Sequence, residues 1–314
     1  MATKSHASPG GAPDRMDFLS LGICSIIWGT TWLVLKLQLG WASPVASIFY
    51  RFVLSGLLMF PISAWQGHRL TLTRREHGLA ASQGFAVFCC GYLFVYMAES
   101  HAPSAVVAVA FALMALVNTA MFRLVLKQKA HRAAWLGAGL GAMGVACLSY
   151  GQIASSPVRG DLLIGVGLTI VSVIFNAFGN LAARLSQVSR TPVATMTGWS
   201  MLYGSSALLI FGLVTHTSFQ VPMTLAWWAP FLYLSLVGSV AAFLIYYSLA
   251  NRRGFTVASY TSVLTPPIAM LVSSLFEKVR WDWTALVGLL FIVMGQVLIV
   301  RQGRQTAAVA AAKD

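Results

Sequence analysis

Long apolar stretches separated by short polar connections dominate the sequence. Ten of these stretches are about as long as the roughly 20 residues that a helix needs to cross the hydrocarbon core of a bilayer. They lie at residues 17–36, 43–65, 78–99, 103–125, 132–151, 160–182, 192–214, 228–250, 255–276 and 283–301. The pattern predicts an all-α integral membrane protein with ten transmembrane helices. Because the connections are short, we expect no extramembrane domain large enough to hold an active site.

Composition points to the same class. The chain of 314 residues is 58% hydrophobic and 9% charged, whereas soluble domains contain roughly 25% charged residues. This deficit excludes the soluble enzyme that chain length alone would suggest. Residues 1–16 carry no cleavable signal pattern, and we expect them to form a cytoplasmic N-terminal tail. Residues 302–314 are expected to form a disordered cytoplasmic tail.

Basic residues are distributed unevenly between the two sides of the membrane. The formal net charge of +13 would favour nucleic-acid binding in a soluble protein, but no nucleic-acid-binding motif accompanies it. With the N-terminus in the cytoplasm, fifteen of the 21 Lys and Arg residues fall in cytoplasmic segments, and three fall in external loops. This bias is typical of bacterial-type inner membrane proteins. It predicts that both termini are cytoplasmic and that the number of spans is even.

The two halves of the chain resemble each other at an offset of 151 residues. The offset pairs Tyr96 with Tyr247 and also aligns a lysine and two glycines. We predict two repeats, at residues 17–151 and 160–301, with five helices each. Because five is odd, the second copy must enter the membrane in the opposite orientation. Such inverted repeats are typical of secondary transporters, which bind substrate near the midplane between the repeats.

Several short motifs occur along each half of the chain. In the first half they are Trp28-Gly29-Thr30-Thr31-Trp32, Ser43-Pro44 followed by Arg51, and Gly137 to Gly144; in the second they are Gly254 to Ser259, Leu264-Thr265-Pro266, Glu277, Gly288 and Gly295. With these motifs the chain resembles the EamA-type branch of the drug/metabolite transporter superfamily, over about residues 18–300. The resemblance implies a carrier that exports amino acids or other small metabolites.

The first half departs from this family pattern at two positions. Lys127-Gln128-Lys129 stands where an acidic residue usually closes the fourth helix. Met114-Ala115 stands at the position that matches Thr265-Pro266 in the second half. We therefore do not expect the two halves to form symmetric gates.

Arg51 is the charged residue that stands out among the predicted helices. It lies about 8 residues into the second helix, which is about 12 Å deep at 1.5 Å per residue. An arginine at that depth is costly and should face a partner or a water-filled cavity. Two interpretations stay open: Arg51 attracts a substrate carboxylate, or it holds helices together through hydrogen bonds.

Other candidates for the substrate path are polar, aromatic or helix-breaking residues inside apolar helices. They are Trp28, Tyr96, Asn118, Asn176, Asn180, Trp199, Tyr247, Tyr260, Ser262 and Pro266. Pro266 lacks an N–H and leaves the carbonyl of Ser262 without its helical partner. The alternative interpretations are structural, because amides often join helices and aromatic residues often lie at the membrane interface.

The sequence offers little chemistry for catalysis or ion coupling. The cysteines lie in apolar runs without zinc-site spacing, so we expect no metal site, no cofactor and no enzyme activity. Lys36, Glu99 and Arg123 lie near helix ends and are expected to reach the interface. No acidic residue lies near a helix midpoint. We therefore expect facilitated diffusion or exchange and not proton antiport through a membrane-centre carboxylate.

Three functions remain to be distinguished. The first is export of a small amphipathic metabolite such as an amino acid. The second is uptake or exchange of a sugar or nucleotide sugar, although anionic substrates would favour more basic groups than Arg51 alone. The third is a non-transporting structural or sensory membrane subunit. The expected partners are a small-molecule metabolite and the lipid bilayer, with no nucleic acid; both a monomer and a homodimer stay open.

Overall fold

The computed structural model is a bundle of helices. It describes residues 15–127, 132–155, 159–189, 191–253, 258, 261–277 and 282–311, and none of these residues belongs to a β-strand. The all-α prediction is confirmed.

The helices of these described residues follow the predicted apolar stretches. They are α1 Arg15–Gln38, α2 Pro44–Trp65, α3 Arg74–His101, α4 Ser104–Leu126, α5 Arg132–Ser155, α6 Arg159–Val188, α7 Val193–Val214, α8 Leu225–Arg253, α9 Thr261–Phe276 and α10 Trp283–Ala311. Within the described ranges, seven helices (α1 to α4 and α6 to α8) are long and apolar enough to cross a membrane. The other three contain shorter apolar stretches, at Trp135–Cys147, Leu264–Phe276 and Trp283–Gly295. The count of ten spans and the inverted orientation of the halves stay predictions.

Residues in the connections determine where helices begin. Ser43 caps α2, its hydroxyl accepting a hydrogen bond from the Ala46 N–H at 3.1 Å, and Pro44 occupies the first turn, where no N–H is needed. Thr73 and Glu76 form a capping box at the start of α3. These caps allow consecutive helices to begin and end within short connections.

Irregular backbone occurs at related places in the two halves. The third helix of each half, α3 or α8, contains a π-helical segment, Gly84–Gly91 or Tyr233–Ala241, at nearly the offset that relates the halves. The helix α4 is interrupted between Phe111 and Met114, and α9 contains Pro266 at the matching position. Departures of this kind often mark functional sites.

Glycines allow α5 and α10 to pack closely along their length. A Cβ atom added to Gly144 would lie 2.5 Å from the carbonyl oxygen of Gly288 and 2.8 Å from the backbone nitrogen of Ile292. Similarly, a Cβ atom on Gly295 would lie 2.7 Å from the nitrogen of Gly141. Small residues therefore bring these two backbones together within one chain.

We expect Gly144→Val to destabilise the protein by about 1–3 kcal/mol, because the new methyl groups would overlap the α10 backbone. Gly139→Val is the matched control on the same helix, since nothing lies within 4 Å of a Cβ atom at Gly139. Unfolding in mixed detergent micelles measures both variants. Equal losses of stability would contradict the packing described for α5 and α10.

Candidate functional site

A cavity of about 160 Å³ lies in the middle of the bundle. Its walls come from α1 to α4 of the first half and from α6, α8 and α9 of the second. Both halves therefore contribute to the walls of this cavity.

Aromatic rings form one wall of the cavity. The ring of Trp28 packs against Phe243, with centroids 5.6 Å apart, and against Tyr246 at 5.0 Å. Trp32 packs edge-on against Phe111 at 5.2 Å. These contacts hold the rings in fixed orientations, so the wall offers a preformed apolar surface to a bound molecule.

Amides lie on the wall formed by α4 and α6. The Asn180 side-chain nitrogen donates to the Asn118 side-chain oxygen at 3.3 Å, which links the two helices. The Asn176 nitrogen donates to the Ser172 carbonyl oxygen at 2.9 Å within α6. All three asparagines also line the cavity. Asn118 and Asn180 therefore join two helices, and all three asparagines offer polar groups to the cavity.

The guanidinium group of Arg51 reaches the cavity from α2 although only 2% of the residue is exposed. Its Nε atom donates to the Ser239 hydroxyl at 2.9 Å, in the π-helical segment of α8. Its central carbon lies 4.8 Å from the ring centroid of Tyr92 and 5.2 Å from that of Phe52. None of the ion pairs among the described residues includes Arg51. The cation is oriented by a hydroxyl and two rings, and no carboxylate neutralises it there.

A cluster of charged residues lies beyond one end of the cavity, and we call it the Lys36 cluster (Lys36, Glu99, Ser104 and Glu277). The Lys36 Nζ atom lies 3.1 Å from Glu277 Oε1 and donates to the Ala102 carbonyl oxygen at 2.9 Å. The Ser104 hydroxyl contacts Glu99 Oε2 at 2.9 Å and Glu277 Oε1 at 3.2 Å. The ends of α1, α3 and α9 are thereby joined to the start of α4.

The position of Glu99 differs from the prediction that it reaches the interface. Only 1% of Glu99 is exposed, and the nearby residues Ala98, Ala102 and Ala105 are buried as well. For this residue the prediction was wrong. It was based on the position of Glu99 near a helix end, and that position does not show whether neighbouring helices bury the side chain. The Lys36 side chain is 34% exposed and pairs with Glu277.

A second set of charges joins helices at the opposite end of the bundle. Asp17, at the start of α1, is 1% exposed. Its Oδ2 atom lies 2.7 Å from Arg253 Nε at the end of α8, and its Oδ1 atom lies 3.7 Å from Arg252. In the sequence, these two arginines only add to the count of basic residues in cytoplasmic segments. The ion pairs connect the two helices that carry the Trp28 side of the aromatic wall.

Comparison with known proteins agrees with this arrangement. The profile of the EamA-like transporter family matches residues 18–150 and 163–301. The chain belongs to the EamA-like transporter family. It is therefore a multi-pass membrane transporter, and the family resemblance predicted from the motifs is confirmed.

Related proteins can be aligned with most of the length of this EamA-like chain. It is 27% identical over 264 residues to the uncharacterized inner membrane transporter YedA of Escherichia coli K12, covering 82% of this chain and 83% of that protein. It is 23% identical to protein PecM of Dickeya dadantii, with 90% and 91% of the two chains covered. A protein of known crystal structure shares the fold with a TM-score of 0.71 and 15% identity, over 94% of this chain and 99% of that one.

Several substrate-path candidates lie on the cavity wall of this EamA-like protein. They are Trp28, Arg51, Asn118, Asn176, Asn180, Tyr247 and Pro266. Tyr260 lies outside the described residues, as does the side chain of Ser262. The structure thus brings together candidates from both halves of the chain.

Two further candidates lie elsewhere. The Tyr96 hydroxyl donates to the Gln38 side-chain oxygen at 3.1 Å, and this tyrosine is fully buried away from the cavity lining. The Trp199 Nε1 atom donates to the Leu70 carbonyl oxygen at 2.9 Å, close to the connection between α2 and α3. The sequence shows how far along a helix a residue lies, but it does not show which face of the helix the residue is on. Tyr96 and Trp199 lie on a face or at an end that does not meet the cavity.

Other cavity residues were not predicted as part of the substrate path. On α1 they are Thr31, Trp32 and Leu35, which share a face with Trp28. Their spacing of three, four and seven residues from Trp28 is that of one side of a helix. This periodicity is the signal by which the sequence could have identified the whole face.

We expect Arg253→Gln to cost about 3–5 kcal/mol of stability, because it leaves the carboxylate of Asp17 buried without its closest cation. Arg252→Gln is the control and should cost about 0–1 kcal/mol, since the Arg252 side chain is 51% exposed and more distant from Asp17. Unfolding in mixed micelles gives both values. The two variants losing the same stability would contradict the importance of the Asp17–Arg253 contact.

Proposed function

We propose that the protein is a secondary carrier that exports amino acids or other small amphipathic metabolites across the inner membrane by alternating access, with both termini in the cytoplasm. The observation that carries this proposal is the guanidinium of Arg51, which is oriented at the cavity beside an aromatic wall and lies outside the ion pairs of the described residues. A substrate carboxylate would supply the missing opposite charge.

The energetics of a buried cation favour a carboxylate as the bound group. Burying an arginine without an opposite charge is costly, and a carboxylate forms short, charge-assisted hydrogen bonds with a guanidinium. Trp28 and Phe243 offer apolar surface to the rest of the substrate. Asn118 and Asn176 offer side-chain oxygens that could accept from an amino group. The combination suits an amino acid with an apolar side chain.

The same lining disfavours the alternative substrates. A nucleotide sugar or phosphorylated sugar carries more negative charge, whereas Arg51 is the only basic residue among the described ones that line the cavity. A structural or sensory subunit would have no use for a central cavity with oriented polar groups. Membership of a transporter family also favours a carrier.

Alternating access is supported by how α4 is divided. Both parts pack against α5 and α6, and the first part, Ser104–Phe111, also packs against α1 and α9. If both termini are cytoplasmic, the Lys36 cluster lies at the external end of the bundle, where it closes the cavity. The interruption in α4 and Pro266 in α9 would then allow half-helices to move separately at that end. Substrate would enter from the cytoplasm and leave when the Lys36 cluster opens.

We expect cells that overproduce the protein to accumulate amino acids in the medium, and cells that lack it to retain them. Arg51→Met should lower the export rate about 10–100-fold, because a hydrogen bond to a charged group contributes about 1.5–3 kcal/mol. Arg123→Met, which changes an exposed arginine of α4, is the control and should keep the wild-type rate. Metabolite analysis of cells and medium measures these rates.

Two results would contradict the proposal. Unchanged amino acids in the medium on overproduction of the wild type would argue against export. Wild-type export by Arg51→Met at equal expression would show that Arg51 does not bind the substrate. Counterflow of labelled leucine or phenylalanine into preloaded proteoliposomes tests the carrier mechanism separately, since a non-transporting subunit gives none.

A further inference from the structure

We propose that the carboxylate of Glu99 is the binding site for a coupling proton, so that the carrier exchanges a proton for its substrate. The inference rests on the proposed carrier function and adds the ion that drives it. It is based on the arrangement of charges in the Lys36 cluster.

The two oxygens of Glu99 have very different surroundings. Oε2 accepts a hydrogen bond from the Ser104 hydroxyl at 2.9 Å. Oε1 is buried and has no hydrogen-bond partner among the residues that the structure describes. A charged carboxylate with an unpartnered oxygen in an apolar environment is costly, and such a group tends to become neutral. A proton on Oε1 removes the charge and leaves the hydrogen bond from Ser104 intact.

Two carboxylates share one ammonium group in the cluster. Lys36 lies 3.1 Å from Glu277 and is therefore the direct partner of that residue. Lys36 and Glu277 also act electrostatically on Glu99. Within the described part of the chain, the other nearby titratable pair is His101 with Asp161, which lie 3.3 Å from each other and are partly exposed. One proton on Glu99 therefore makes the closed Lys36 cluster electrically neutral.

The proton and the closing of this end are coupled through Lys36. When Glu99 loses its proton to the cavity, its carboxylate competes with Glu277 for Lys36 and weakens the contact that closes the end. Leu35 and Val95 line the cavity next to this cluster, one residue before Lys36 and one turn before Glu99. The opened end exposes Glu99 to the external solution, where it takes up a proton and the end closes again. Each cycle moves one proton inward and one substrate outward.

The first experiment needs no substrate. Infrared spectroscopy of the reconstituted protein should show the C=O band of a protonated carboxylic acid, and Glu99→Gln should remove it. Asp161→Asn, the control, changes a half-exposed carboxylate near the same end and should leave the band in place. A band that persists in Glu99→Gln, or none in the wild type at any pH at which it stays folded, would overturn the proposal.

The second experiment measures coupling with leucine as the probe. Wild-type proteoliposomes should accumulate labelled leucine against its gradient when a pH gradient is imposed, and Glu99→Gln should lose this accumulation. Glu99→Asp keeps a carboxylate and should retain part of the pH-driven accumulation. This result distinguishes a proton-binding role of Glu99 from a role in folding alone.

The outcomes separate the two proposals. Wild-type counterflow of leucine without pH-driven accumulation, or full accumulation by Glu99→Gln, would overturn the proton site and leave the carrier function standing. Absence of counterflow for leucine and every other amino acid tested would count against the proposed function, whereas the infrared band would still report on Glu99.

Discussion

In a helix bundle that lies within lipid, polar and charged side chains must find their partners inside the protein, and this constraint organises the structure. Several charged contacts join the first half of the chain to the second. Arg51 reaches Ser239, Lys36 reaches Glu277, and Asp17 reaches Arg253. Apolar packing within lipid has little preference for particular neighbours, so these few contacts specify how the halves fit together.

Close packing and the cavity occupy different parts of the bundle. The helices α5 and α10 contact each other through glycines that bring their backbones together, and none of their described side chains lines the cavity. The helices that surround the cavity instead carry large rings and amides, with irregular backbone in α3, α4, α8 and α9. The regular helices α5 and α10 thus pack against each other, whereas the irregular helices form the cavity.

The sequence predicted the helices well because hydrophobic length directly reports a span, and it located candidates such as Trp28 and Arg51 by their unusual residue type. It could not give the helix face or the tertiary burial. Trp199 was expected in the substrate path but lies near a connection, and Glu99 was expected at the interface but is buried. The interruption in α4 has no proline, so no local signal in that half indicated it.

The inverted halves use different contacts to close their two ends. At the offset of 151 residues, Leu126 and Gln187 occupy the positions that match Glu277 and Lys36, so the first half cannot copy the ion pair of the Lys36 cluster. The opposite end instead has Asp17, which is held by arginines and has no second carboxylate in the described ion pairs. Among the described ion pairs, the Lys36 cluster is the one that combines one ammonium with two carboxylates. If a proton controls either end through charge balance, this is the end at which it must act.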